Sequence, residues 1–195
     1  AARWRNKPFI VRVAGDRAWE DAVNQKKTDL LIDEFQTTPK RGIKHRIQLW
    51  VCRQAKTVIV PSMYLAHLVE GWGVPREKIT VVPNAVESLG VQHLSKEEIR
   101  KQLGITGNIL VSVGRMVPWK GFRMLIKLMP QFLEINPFFR LVIVGDGPDM
   151  ALLRTILKNL HLETKVYLVG RKSQEDTARY VSASDLFILN AGYEG

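Results

Sequence analysis

Short runs of apolar, often β-branched residues recur along the chain, and each of them contains at most one polar residue. Continuous apolar runs of about four to eight residues are typical of strands that are buried on both faces of a parallel sheet. The pattern predicts seven such strands, at residues 9–13, 57–60, 79–82, 109–113, 141–144, 166–169 and 186–189.

Stretches with helical periodicity lie between these runs. Ser62 and Ser173 are each placed to cap a helix, and Ser95 with Glu98 has the spacing of a capping box. Apolar positions at helical spacing further predict helices over 121–135 and 148–160 and a long helical region within 18–53.

The alternation of strands and helices predicts an α/β fold with right-handed crossovers. It is regular from residue 109, where we expect a Rossmann-like, doubly wound parallel sheet. Gly, Pro and Asn concentrate between 83 and 107, so we place a domain junction there. The prediction is a partial N-terminal segment at 1–88 and a C-terminal domain at 89–195. Because the first holds three strands and the second stops after a strand, we expect a chain truncated at both ends.

The net charge of +10 adds a preference for anionic partners. It is spread over the chain: 1–88 has 15 basic and 9 acidic residues, and 89–195 has 14 and 10. A spread positive surface suits nucleotide phosphates, acidic lipid head groups or nucleic acid. No nucleic-acid recognition motif is present, so we expect no nucleic-acid partner.

The numbers and spacing of the cysteine and histidine residues indicate the cellular compartment and bear on whether a metal site is present. The single cysteine, Cys52, cannot form an internal disulfide, and no apolar run reaches the ~18 residues of a membrane span. We therefore expect a cytoplasmic protein, with peripheral contact at an anionic inner membrane face. The four His residues lack metal-ligand spacing, so no metal site is predicted.

The first candidate loop, residues 114–121, follows a predicted strand and precedes a helix. Gly114 lets the backbone turn sharply, and Gly121 begins a helix whose free N–H groups favour anions. Arg115 provides a planar fork of donors and Lys120 a mobile charge, which together suit two phosphates. The glycine spacing is not that of a Walker A loop. The alternative is a solvated basic loop.

Two further loops follow the next two predicted strands. Gly145-Asp146-Gly147 permits close approach of a ligand to the backbone, or forms a tight turn without one. Val169-Gly170-Arg171 either cradles a nucleotide base or simply turns. Because ligands bind at the carboxyl ends of strands in open α/β sheets, we expect all three loops to meet at one edge. Glu194, after the last predicted strand, is expected at this edge, where its carboxylate accepts sugar hydroxyls; the alternative is an exposed terminal residue.

In this order, the motifs resemble the GT4 family of retaining GT-B glycosyltransferases. In the second half the matching motifs are Val113-Gly114-Arg115 with Lys120-Gly121, Val144-Gly145-Asp146-Gly147-Pro148, Val169-Gly170, Ser184-Asp185-Leu186-Phe187 and Glu194-Gly195. In the first half they are Gly15-Asp16 with Trp19-Glu20, Val60-Pro61-Ser62, Trp72-Gly73-Val74, Lys78-Ile79 and Val82-Pro83-Asn84-Ala85-Val86.

The resemblance implies transfer of a hexosyl group from a nucleoside-diphosphate sugar, UDP- or GDP-linked, to an acceptor hydroxyl. The anomeric configuration is retained, and neither a metal nor another cofactor is required. Arg115 and Lys120 are expected to bind the donor diphosphate, Glu194 of the Glu194-Gly195 motif the donor sugar, and the region of Gly170 the base. Members of the family are roughly twice as long. We therefore expect the glycine-rich donor loop, the acceptor-side histidine and the second glutamate of the Glu-x7-Glu motif to be missing.

The residues alone are also compatible with two other functions. A non-catalytic module that binds nucleotide sugars and a GT-B sugar-nucleotide epimerase both fit the three loops. The acceptor, whether a sugar, a lipid-linked group or a polysaccharide, is not indicated. Apolar faces left uncovered by truncation predict self-association.

Overall fold

A computed structural model describes residues 7–38, 42–85 and 94–193 of the chain. Contacts divide the chain into two compact units, Ala1–Val86 with Tyr193–Gly195 and Glu87–Gly192. Each unit contains its own parallel β-sheet.

The first unit contains a three-stranded parallel sheet in the order β1-β2-β3. Its strands are β1 (Ile10–Arg12), β2 (Thr57–Val60) and β3 (Ile79–Val81). Its helices are α1 (Arg17–Asn24), α2 (Ile32–Thr37), α3 (Gly42–Gln54) and α4 (Met63–Gly71). All three strands coincide with predicted apolar runs, and Ser62 caps α4 through a bond from Leu65 N to its hydroxyl.

The long helical region predicted within 18–53 consists of three helices. Lys26 adopts a left-handed backbone conformation, with φ of 55°, directly after α1 and prevents its continuation. Trp19 Nε1 then donates to Leu30 O, which fixes the return of the chain after α1. Pro39 in the sequence disfavours helical continuation of α2.

Asp16 organises the helical layer of the first unit. Its side chain is fully buried and caps α1 by accepting from Ala18 N and Trp19 N. The same carboxylate accepts from the side chains of Gln36 and Gln48, which lie on α2 and α3. The Gly15-Asp16 motif with Trp19 therefore has a structural role in this unit, because one carboxylate joins three helices.

The second unit contains a four-stranded parallel sheet in the order β6-β5-β4-β7. Its elements in chain order are α5 (Lys96–Leu103), β4 (Asn108–Val113), α6 (Phe122–Ile135), β5 (Phe139–Val144), α7 (Met150–Asn159), β6 (Val166–Gly170), α8 (Gln174–Ala183) and β7 (Leu186–Phe187). Strand order reverses beside β4, so the sheet is doubly wound, as predicted. The N-caps Ser95 and Ser173 are confirmed.

Apolar side chains cover both faces of this second sheet. Leu110, Leu141 and Ile143 pack on one face with buried residues of α6 and α7. Ile109, Val111, Val142 and Val144 pack on the other with Tyr180 of α8, and α8 itself packs against α5. Burial on both faces explains why the strands contain continuous apolar runs.

Asp185 links three elements of the second unit. Its carboxylate accepts from Lys96 Nζ at 2.6 Å and Arg100 Nη2 at 2.7 Å, both on α5, and from the backbone of Ile109 on β4 at 2.7 Å. Burial alone raises the pKa of Asp185, but these three donors outweigh it and lower the pKa to about 2. The ionised carboxylate therefore holds α5 against β4.

We expect Asp185→Asn to reduce the free energy of unfolding by about 1–2 kcal/mol near neutral pH, after allowance for the partly exposed side chain. Because the folded pKa lies below the unfolded value, this stabilisation is present above pH ~4 and is lost as the pH falls towards ~2. Urea denaturation at several pH values measures it. A gap between wild type and variant that stays constant across this range would contradict the assignment.

Candidate functional site

A cavity of about 480 Å³ lies at the carboxyl ends of β4, β5 and β6. It is formed by the three loops that the sequence singles out, together with Thr177 of α8. The predicted site residues that line it are Gly114, Arg115, Gly145, Asp146, Gly147 and Arg171, and Lys172 is an additional lining residue. The structure thus brings most of the three predicted loops to one edge of the sheet.

The charges around this cavity are mainly positive. Arg115, Arg171 and Lys172 contribute cationic side chains, and all three are exposed. Asp146 is the acidic residue of the lining, and its Oδ1 accepts from Gly147 N at 2.7 Å. Exposed cations grouped around a concave surface attract anionic ligands.

The ring of Trp119 lies against the guanidinium group of Arg115. The guanidinium carbon of Arg115 lies 5.7 Å from the centre of the Trp119 ring, within the range of a cation–π interaction. The sequence pattern did not identify this contact, because it interprets tryptophan as a packing residue. An arginine followed four residues later by a tryptophan within a short turn is the sequence feature that could have predicted this contact.

Lys120 lies beside the cavity and not in its lining. It ends a short 3-10 turn, Pro118–Lys120, and its aliphatic carbons pass within 3.7 Å of where a Cβ on Gly114 would be. Its side chain therefore runs next to Gly114, which does line the cavity. Arg115 and Lys120 are consequently on the same loop and near the same glycine.

Val169, Gly170 and Gly121 are also outside the lining. Val169 packs against the core cluster of β4 and β5, and the carbonyl of Gly170 accepts from Gly145 N at 2.9 Å. Gly121 is the N-cap of α6, which begins at Phe122. The remaining two predicted residues, Glu194 and Gly195, lie outside the described residues.

The glycines of the second loop are needed by the protein itself. A Cβ on Gly145, whose φ is 141°, would collide with Gly114 O, and one on Gly147 would lie 2.5 Å from Met116 O. Met116 N donates to Asp146 O at 2.9 Å across the same contact. These glycines therefore permit the close approach of the first loop, and their close approach to a ligand stays a prediction.

Gly114 differs from these two glycines. Its φ lies outside the left-handed region, and a Cβ there would meet its nearest atom, Phe122 Cζ, at 3.4 Å. Glycine is therefore not required for the backbone conformation at this position, contrary to the sequence-based expectation. A small side chain would instead occupy space at the cavity wall, since Gly114 lines it.

The loop after β7 joins the loop after β4. Asn190 Nδ2 donates to Gly121 O at 3.2 Å, and Gly192 N donates to Trp119 O at 2.8 Å. A Cβ on Gly121, whose φ is 71°, would collide with the carbonyl oxygen of Asn190. Asn190 thus positions the site. Its role could not be predicted from the sequence, because the two residues in contact are far apart along the chain.

An ion pair with a buried carboxylate fixes the helices behind these loops. Asp149, which is nearly inaccessible to solvent, accepts two bonds from Arg123, from Nε at 2.9 Å and from Nη2 at 2.8 Å. Asp149 N also donates to Met116 O at 3.0 Å. The start of α7 is therefore tied both to α6 and to the first loop. Helix α7 begins at Met150 and not at Pro148 as predicted, because Pro148 and Asp149 form a turn.

The described residues provide neither a metal site nor a reactive thiol. In residues 7–38, 42–85 and 94–193, no group of His, Cys, Asp and Glu has the arrangement of a metal site. Burial raises the pKa of the Cys52 thiol to about 11, so this thiol is protonated at neutral pH and is a poor nucleophile. In the same ranges, no helix combines the length and apolar character needed to cross a bilayer.

We expect Gly121→Ala to destabilise the protein far more than Gly104→Ala. Both glycines are left-handed, with φ of 71° and 64°, but an added Cβ has open space at Gly104 and meets Asn190 at Gly121. The backbone strain shared by both variants costs about 1 kcal/mol, and displacement of the Asn190 loop raises the loss for Gly121→Ala to about 3 kcal/mol or more. Urea denaturation measures both; equal losses would show that the two loops are not in contact.

Comparison with known proteins assigns the chain to a family. The family described as "Glycosyl transferases group 1" matches residues 95–195, just over half of the chain, and "Glycosyltransferase Family 4" matches residues 25–88. Mannosylfructose-phosphate synthase from Agrobacterium fabrum is 30% identical over 173 residues, which are 83% of this chain and 38% of that protein.

Two solved structures share the fold over almost the whole chain. Anabaena Alr3699/HepE in complex with UDP-glucose has a TM-score of 0.71 at 20% identity and covers 97% of this chain and 48% of its own. Sucrose-phosphate synthase from Thermosynechococcus elongatus has a TM-score of 0.70 at 20% identity and covers 98% and 47%. The chain thus spans less than half the length of each of these proteins. It belongs to the group 1 glycosyl transferases and has the α/β architecture of GT4-type, GT-B glycosyltransferases.

Proposed function

We propose that the second unit binds the donor of a glycosyl transfer, a nucleoside-diphosphate sugar, in the cavity at the ends of β4, β5 and β6. The observation that carries this proposal is the grouping of Arg115, Arg171 and Lys172 around one concave site, with Lys120 alongside. A diphosphate is the part of such a donor that this charge suits.

The same cations fit the electrostatics of the reaction. When the glycosidic bond to the diphosphate breaks, negative charge grows on the leaving phosphate oxygens. Cations that are already in place stabilise this charge more in the transition state than in the ground state. Arg115 and Lys120 would act here in place of a metal ion, and the Trp119 ring limits the freedom of Arg115 before the donor arrives.

The sugar side of the site is proposed to lie at the loop after β7. Asn190 and Gly192 hold this loop on the loop of Arg115 and Lys120. In sequence it continues directly to Glu194, which we propose contacts the donor sugar, and to Gly195. A carboxylate can accept bonds from two sugar hydroxyls.

The related proteins support a sugar-nucleotide donor. The Anabaena structure contains UDP-glucose, and the relatives are named for transfer products such as mannosylfructose phosphate. We propose a UDP- or GDP-linked hexose as donor and an acceptor hydroxyl as the second substrate, with transfer that retains the anomeric configuration. This chain spans less than half of those proteins. That the chain itself catalyses the transfer is therefore also a proposal.

A non-catalytic module for nucleotide sugars is the second candidate. It is favoured by the fact that every residue lining the cavity belongs to the second unit, between residues 113 and 177. The described lining of the cavity is therefore supplied by the second unit alone. Acceptor-dependent sugar transfer above a blank without protein distinguishes an enzyme from such a module.

We expect calorimetry to detect binding of UDP-glucose or GDP-mannose, with Arg115→Ala and Lys120→Ala each weakening it about tenfold or more. The loss of a charge-assisted bond to phosphate accounts for this size. Nucleosides without phosphate should be affected much less. Arg154→Ala is the matched control, because Arg154 is exposed on α7 and does not line the cavity. If Arg115→Ala binds the donor as tightly as wild type does, the phosphate assignment is wrong.

A further inference from the structure

The second sheet ends at strand β6. Within the described residues the strand order is β6-β5-β4-β7, so β6 has a neighbouring strand on one side only. A groove of about 410 Å³ lies along it, and four consecutive residues, Val166–Val169, line this groove. Successive side chains of a strand point to opposite faces of its sheet, so a groove lined by four consecutive residues runs along the backbone edge. The groove therefore lies where a further strand would be added.

The backbone at this edge has hydrogen-bonding groups that point away from the sheet. Lys165 O accepts from Leu141 N of β5 at 2.9 Å, which fixes the alternation along β6. Because backbone groups alternate in direction along a strand, Val166 and Leu168 turn theirs away from β5. Val166 N is used locally, since it donates to Leu162 O at 2.9 Å. The groups directed at the groove are thus two acceptors, Val166 O and Leu168 O, and one donor, Leu168 N.

Helix α7 places two cations beside the groove. Arg154 and Lys158 both line it and both are exposed, and Glu163 is the acidic residue of the lining. Because α7 connects the parallel strands β5 and β6, it runs antiparallel to them. Four residues advance about 6 Å along a helix, and two residues advance about 6.6 Å along a strand. The two cations therefore have the spacing of every second side chain on an added strand.

These properties distinguish the possible partners. A second copy joined through the same edge would bring the cations of both α7 helices onto one face of a continuous sheet, where like charges repel. A small anion or a nucleic acid would satisfy Arg154 and Lys158 but has no strand backbone to pair with Val166 and Leu168. An extended peptide with carboxylates at alternate positions satisfies both the backbone edge and the cations.

We propose that the groove between α7 and β6 is a docking surface for an extended acidic peptide segment, which joins the second sheet as an additional strand beside β6. Backbone bonds to Val166 and Leu168 contribute affinity, while Arg154 and Lys158 select carboxylates at alternate positions. The intervening side chains face the other side of the sheet, where Tyr167 is exposed, so we expect them to be apolar. The proposal is independent of the donor site, because no described residue lines both cavities.

Fluorescence anisotropy with labelled peptides tests the docking surface. The probe is a peptide of about nine residues, long enough for one strand, in which Glu and Val alternate. We expect saturable binding that weakens as salt is added. A peptide of the same composition with its Glu residues in one block should bind about tenfold more weakly, because its carboxylates cannot meet both cations. A peptide with Lys in place of Glu should not bind.

Charge reversal on the protein tests the site of binding. Lys158→Glu should weaken binding of the alternating peptide about tenfold or more, because it replaces an attraction with a repulsion. Lys127→Glu is the matched control, since Lys127 is exposed on α6 and does not line the groove, and it should have less than about a twofold effect. Each position is exposed, so the variants are expected to fold, and circular dichroism verifies this.

N-methylation of the peptide reports the strand pairing itself. In an added strand the amides of alternate residues face β6, and the others face solvent. Methyl groups on two central Glu residues or on two central Val residues therefore remove either the pairing donors or the outward ones. One of these two peptides should bind about tenfold more weakly than the unmethylated peptide, and the other should bind within about threefold of it. Loss in the Glu series indicates an antiparallel added strand, and loss in the Val series a parallel one.

Several outcomes would overturn the proposal. Equal effects of Lys158→Glu and Lys127→Glu, or equal binding of the block and alternating peptides, would show that only net charge matters. Equal effects of the two methylated peptides would exclude strand pairing. Displacement of the peptide by inorganic phosphate at constant ionic strength would make a small anion the ligand, and a dimer that the peptide dissociates would make a second copy the occupant. Arg154→Ala separates this test from that of the donor site, because it should weaken peptide binding and leave donor binding unchanged.

Discussion

The site in the second unit depends on one constraint, which is the close packing of backbone from three loops without intervening side chains. The loop after β5 lies against the loop after β4 at Gly145 and Gly147, and the loop after β7 lies against it at Gly121. A Cβ at any of these positions would strike a backbone oxygen of the neighbouring loop. The backbone of the loop that holds Arg115 is thus fixed from both sides, so only its side chains, and not the loop itself, have to be ordered when an anionic ligand binds.

The sheet topology explains why the loops meet at this point. Strand order reverses beside β4, so the segments that follow β5 and β7 flank the segment that follows β4. The bidentate pair of Arg123 and Asp149 and the three donors to Asp185 then hold the surrounding helices. Several motifs that carry the family resemblance, including Asp16 and Asp185, are accordingly capping and tethering residues of the fold.

The two units present different surfaces. In the second unit, cations converge on a concave site, which suits a small anion with several phosphate oxygens. In the first unit, exposed cations border an outward apolar row on α3, formed by Ile43, Ile47 and Trp50. The even spread of positive charge along the sequence therefore takes two different spatial arrangements in the described residues.

The sequence alone determined the elements and the edge of the sheet where the site lies. Apolar runs located all seven strands of the described residues, Ser62, Ser95 and Ser173 marked helix starts, and regular alternation implied the doubly wound sheet, because these features depend on local periodicity and capping. The sequence did not show that the helical region within 18–53 divides into three helices, since the left-handed turn at Lys26 has no apolar signature. Only the tertiary structure decided that Gly145 and Gly147 meet protein backbone, that Asn190 holds Gly121, that Trp119 lies under Arg115, and that α3 turns Ile43, Ile47 and Trp50 outwards. These facts join residues distant in sequence or choose between two apolar faces of one helix, and hydrophobic periodicity contains neither kind of information.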